Sequence, residues 1–165
     1  MKVFVRGLIL SAIAFGLLWG CSSSKRWSFP HKIDGYSLSR LITGGKALAQ
    51  VNGLHGKPIQ ALKGSIALYE GEGKEAMVWV SLAPSSQMAL QQVGIMVEKM
   101  EERGPFHDFS TGKMGCILVH RFLGLGQEHY LFSHGASVFW ISAPVGEGKP
   151  FVKVFARREC PPLIP

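Results

Sequence analysis

Between residues 85 and 104 apolar side chains recur at helical spacing: Ala89, Val93, Met96, Val97 and Met100. This predicts an amphipathic helix. Ser85 or Ser86 can cap its start, Gly104 can end it, and its methionines read as core filling. Ahead of it the period falls to two. Ile66 and Leu68 alternate on one run, and Ala76, Val78, Val80 and Leu82 on the next, with Trp79 on the opposite face. The glycines at 71 and 73 between the runs suit a tight hairpin. Residues 115–122, 128–134 and 137–143 read as a meander with short glycine-bearing links. Residues 149–160 read as a closing helix rather than a strand. Over 37–51, Leu38, Leu41, Ile42 and Leu48 fall near one helical face, broken by Gly44-Gly45, and predict a short first helix. The expected class is α+β, an antiparallel sheet of five or six strands with two or three helices packed on it, an α/β sandwich.

The first twenty residues follow a different rule. Lys2 and Arg6 precede an uncharged apolar run from Gly7 to Trp19, thirteen residues. A membrane span needs about 20. A basic head, a short apolar body and a small residue at the end make a secretory signal. Leu18-Trp19-Gly20-Cys21 resembles the lipobox of bacterial lipoproteins at Leu18, Gly20 and Cys21, and departs from it at Trp19, where small or β-branched residues are usual. The resemblance implies cleavage before Cys21, a diacylglycerol on its sulfur and an acyl group on its amine. The alternative is an ordinary secreted chain with Cys21 unmodified. Ser22 after the cysteine implies, by that family's sorting pattern, an outer-membrane protein facing the periplasm rather than an inner-membrane one. The domain outline is similar to the PsbP-like α/β sandwich and to small uncharacterised bacterial lipoproteins. The organisation is then signal peptide over 1–20, lipidated cysteine and tether over 21–35, one domain over 36–160, and a tail over 161–165.

Charge and cysteine content sharpen this picture. The net charge of +7 includes Lys2 and Arg6, so the chain from Cys21 onward is near +5. Its basic residues are scattered, without the aromatic-interleaved stripe of a nucleic-acid binder. Membrane and envelope partners are expected, and nucleic acid is not. Cys116 and Cys160 remain beside Cys21. In an oxidising compartment they can form a disulfide, and the alternative is two free thiols.

Catalytic motifs are scarce. Lysines after glycine, among them those at 46, 57, 74 and 113, are not followed by the Ser or Thr of a phosphate-binding loop. No G-x-S-x-G or H-E-x-x-H motif occurs. Glu98, Glu101 and Glu102 beside Lys99 and Arg103 read as a solvated helix face. A turn centred between Gly124 and Leu125 sets His120 opposite His129, and a turn at His134-Gly135 sets His129 opposite Trp140, with Tyr130 and Phe132 on the other face. Directly opposed Cβ atoms lie about 4.5–5.5 Å apart, within reach of one metal ion. His107, Glu128 or Cys116 would have to complete such a site. The plainer reading is a His–His–Trp ladder. The expectation is a lipid-anchored, non-enzymatic binding or assembly module without a cofactor. The alternative is a small-ligand or metal carrier using His120, His129 and Trp140.

Overall fold

The computed structural model describes residues 27–55, 60–102 and 104–156. Within them, eight strands form one antiparallel sheet in the order β1-β2-β3-β4-β8-β7-β6-β5. The elements are β1 (Lys32–Ile33), β2 (Tyr36–Thr43), α1 (Gly45–His55), β3 (Lys63–Gly71), β4 (Lys74–Leu82), α2 (Ser86–Glu102), β5 (Phe106–Met114), β6 (Ile117–Gly124), β7 (Gln127–His134), β8 (Ser137–Ala143) and α3 (Lys149–Phe155). Two meanders, β1–β4 and β5–β8, meet where β4 pairs with β8. The α+β class is as expected, but the strand count exceeds five or six.

The additional strands are those whose alternation is broken or polar. Residues 37–43 are strand, not helix, and helix begins only at Gly45. Between Leu38 and Arg40 the β2 register shifts by a bulge. One extra residue turns a period of two into the i, i+3, i+4 spacing of Leu38, Leu41 and Ile42, which imitates a helix. β5 is an edge strand, largely exposed, with its own bulge between His107 and Ser110. β1 and the segment before it were expected as tether. Instead Trp27 and Phe29 pack on the core, Ile33 is buried, and Tyr69 donates from its hydroxyl to the Pro30 carbonyl at 3.1 Å. The α2 prediction matches: Ser85 Oγ accepts from the Met88 N–H at 3.2 Å, and Gly104 follows with φ +141°.

Each sheet face carries its own core. On one, α3 lies across the strands. Its Phe151 sits edge-on between Tyr36 and Tyr69, at 5.4 and 5.3 Å, and Phe132 stacks on Phe139 at 5.0 Å. Burial pushes the Tyr69 hydroxyl up to about 12. On the other face, α2 buries Ala89, Val93 and Met100 against Phe122, Leu131 and Val138, with Met88 and Met96 filling in beside them. α1 lies on that same face over β2 and β3. Gly64 admits it closely, since a Cβ there would stand 3.1 Å from Leu48 Cδ2. Fully burying one such Phe or Leu contributes about 1.5–3 kcal/mol.

Candidate functional site

The three side chains singled out from sequence do share a face, in a different register. The β6–β7 turn is Leu125-Gly126, with φ +54° and +77°. Gly124 therefore pairs with Gln127, His120 with Leu131, and His129 with Phe122. The next turn pairs His134 with Ser137, so Trp140 faces Leu131 and His129 faces Ser142. Moving a hairpin turn by one residue moves every cross-strand partner by two. Two is the side-chain period of a strand, so all three residues keep their face and become diagonal neighbours.

That face is an apolar core at His129 rather than a half-polar ladder. His129 is 3% exposed. Its ring stacks on Phe122 at 5.3 Å, with Phe106 and Trp140 edge-on at 5.3 and 5.7 Å. Trp140 Nε1–H donates to His129 Nδ1 at 3.1 Å, and His129 Nε2 stands 3.0 Å from the Gly124 carbonyl oxygen. An indole N–H only donates and a carbonyl only accepts, so one neutral tautomer satisfies both contacts: the proton on Nε2, the lone pair on Nδ1. Burial holds the His129 pKa below the usual histidine range. A metal needs that lone pair, and Trp140 has it. His120 lies apart, half-buried, with Nδ1 3.0 Å from Thr111 Oγ1, and burial depresses it too. The expected third ligands do not come round. His107 and Glu128 pair on either side of Leu123, on the opposite face, and Cys116 lies in the β5–β6 turn. Among the described residues no group of three His, Cys, Asp or Glu is placed to hold a metal ion.

Beside the His129 box the same face opens. α1 has its main contacts on β2 and β3, and α2 on β7, β8 and β5. β4 runs between them, and its Met77 and Trp79 are half-buried and belong to neither core cluster. Trp79 pairs with Trp140 on β8 and Ile66 on β3, and Met77 with Ser142 and Leu68. Trp79 Nε1–H points to Met77 Sδ. Toward the Leu82 end, Gln92 of α2 donates to the carbonyl of Gln60, in the segment before β3, at 2.9 Å. The two helices thus leave between them a half-buried Trp–Met strip, here called the furrow, which borders the aromatic box through Trp140. No charged residue occurs over 86–95, the first turns of α2, which expose Leu90 and Ile95.

The opposite face holds a polar cluster that sequence reading missed. Glu128 is 1% exposed. Its Oε2 accepts from Arg121 Nε and from the Tyr130 hydroxyl, each at 3.2 Å, and its Oε1 accepts from the Gly148 N–H at 2.6 Å. It thus fixes the start of α3. One residue before Gly148, Glu147 binds Lys74 Nζ at 2.6 Å and accepts from the Tyr36 hydroxyl. The hydrogen bonds from Lys74 and Tyr36 hold its carboxyl below the usual range. The two Gly-Glu-Gly-Lys stretches, 71–74 and 146–149, therefore meet in space through Lys74 and Glu147. The repeated tetrapeptide was the available signal.

Cys116 is exposed and disulfide-bonded. Cys21 and Cys160 lie outside the described residues, as do residues 1–20, expected as a signal peptide. Among the described residues no helix is long and apolar enough to cross a membrane. The chain matches no family model, no curated protein and no solved structure.

Proposed function

We propose that this chain is a membrane-anchored envelope lipoprotein whose domain is a non-enzymatic binding or assembly module, and that it receives an apolar, uncharged segment of another envelope protein in the furrow over β4. The observation that carries this reading is the half-buried Trp79–Met77 floor beside Trp140, in the middle of a sheet whose helices stand to either side. Partly open Trp and Met at the centre of a surface are the residue types that anchor partners. Both sheet edges argue against strand addition instead. One edge ends in the two-residue β1 beside the bulged β2, and the other in β5, which carries a bulge and Lys113, devices that discourage edge pairing. The anchor rests on Leu18-Trp19-Gly20-Cys21. Two or three acyl chains hold a protein to a bilayer far more firmly than one.

Cross-linking in intact native membranes tests the reading, with Cys21→Ala as control. One stoichiometric partner, lost with the anchor, is expected. Absence of any partner at every cross-linker length overturns it in favour of a small apolar ligand on the Trp79–Trp140 floor, which native mass spectrometry would detect.

A further inference from the structure

The two ends of the sheet differ in charge. The upper end holds Lys63 paired with Leu82, and Ser137 paired with His134. Three exposed lysines stand there: Lys63 itself, Lys113 beside the β5–β6 turn, and Lys46 in the first turn of α1, whose preceding Gly44 N–H bonds the Gly64 carbonyl at 3.0 Å. Exposed Leu62 flanks Lys63, and exposed Leu118 pairs with Lys113. The acidic side chains among the described residues gather at the other end. They lie in or beside the lower turns, in the loop before α3, and in the last turns of α2, which descends to β5. Lower-end cations stand among carboxylates, Lys74 on Glu147 and Arg121 on Glu128.

The chain also enters the fold at the basic end. Trp27 Nε1–H donates to Ser137 Oγ at 2.9 Å, which fixes the entry point beside the β7–β8 turn. Six residues, Cys21 to Arg26, precede it, and they include Lys25 and Arg26. Six residues span at most about 20 Å, so a lipid on Cys21 keeps this end near the headgroups. Charge attraction is screened over about 8 Å at physiological salt, which that tether lets the lysines reach.

We propose that the upper end of the sheet is a membrane-docking surface. Lys46, Lys63 and Lys113 seat the domain on anionic phospholipid headgroups of the bilayer that holds Cys21, with the strands upright and the carboxylates pointing away. The furrow over β4 then runs along the membrane normal, with its Met77 end farthest from the lipid. This rests on the lipoprotein reading above.

The test uses the full chain purified from membranes, its intact mass read first, then placed in nanodiscs. Phosphatidylglycerol mixed with phosphatidylcholine is compared with phosphatidylcholine alone, and amide hydrogen exchange is followed by mass spectrometry. Anionic discs should slow exchange about threefold or more at the 115–116 and 135–136 turns and at 60–63, and leave the 72–73 and 125–126 turns unchanged. The slowing should vanish in high salt and in the K46E/K63E/K113E variant. Equal exchange in both discs, or slowing at the lower turns, overturns the docking while an acylated mass leaves the anchor standing. An unacylated Cys21 overturns both.

Discussion

His129 is the residue on which the site reading turns. Its depressed pKa means that the unfolded chain takes up a proton before the folded one does, so stability is full above the unfolded pKa and lost as pH falls below it. One such proton contributes at most about 1.4 kcal/mol per pH unit. His120, also depressed, adds in the same direction. Urea midpoints should fall between about pH 6.5 and 5, and His129→Gln should flatten that slope. A flat wild-type profile would contradict the buried neutral tautomer. Glu128 is the second such residue. Glu128→Ala leaves Arg121 and the Gly148 N–H without their shared acceptor, and a broken buried pair costs about 3–5 kcal/mol. Chemical denaturation measures this, and loss below about 1 kcal/mol would class the cluster with exposed pairs. Leu125 explains why the histidine register was misread. It holds a left-handed conformation that turn chemistry assigns to Asn or Gly, so nothing in the sequence marked Leu125-Gly126 over the neighbouring Gly124-Leu125 as the turn centre. Leu125→Asn should raise stability by about 1 kcal/mol.

At the scale of elements, what was legible is what kept a clean period. The β3–β4 hairpin, α2 and the β6–β8 meander stand where the alternation or helical spacing placed them, and Lys149–Phe155, whose apolar positions fitted helix or strand, is helix. β2 was hidden by its bulge and β5 by its polarity; β5 is an edge strand and β2 is covered by β1 only at Tyr36 and Ser37, and an open edge relaxes the demand for apolar alternation. The meeting of β5 with the rest depends on Gly124. A Cβ there would lie 2.4 Å from Phe106 Cδ1 and 2.8 Å from the Pro105 carbonyl oxygen. Gly124→Ala should cost about 1–3 kcal/mol and raise amide exchange along β5 ahead of β7. Uniform loss across the sheet would show that β5 is not a separable edge. The shared face of His120, His129 and Trp140 was legible because strand parity survives a displaced turn. The packing of Trp140 against α2 was not, since one strand's pattern does not say which helix covers it.

For the molecule as a whole, the partner of the disulfide-bonded Cys116 bears on the anchor. Non-reducing peptide mapping of the mature protein should find Cys116 joined to Cys160. A bond to Cys21 would take the sulfur that the lipid needs and contradict the anchor. The two Gly-Glu-Gly-Lys segments show the same long-range closure at the lower end, where Lys74 and Glu147 link the β3–β4 turn to the loop before α3. With α3 locked on one face and α1 and α2 dividing the other, the furrow over β4 is the apolar surface left half-covered near the centre of the sheet. The central claim is that a partner occupies it. A photo-reactive amino acid in place of Met77, on the furrow floor, should capture one protein in native membranes, and the same group in place of the exposed Lys153 on α3 should not. Equal capture from both positions, or none from Met77, would contradict the account.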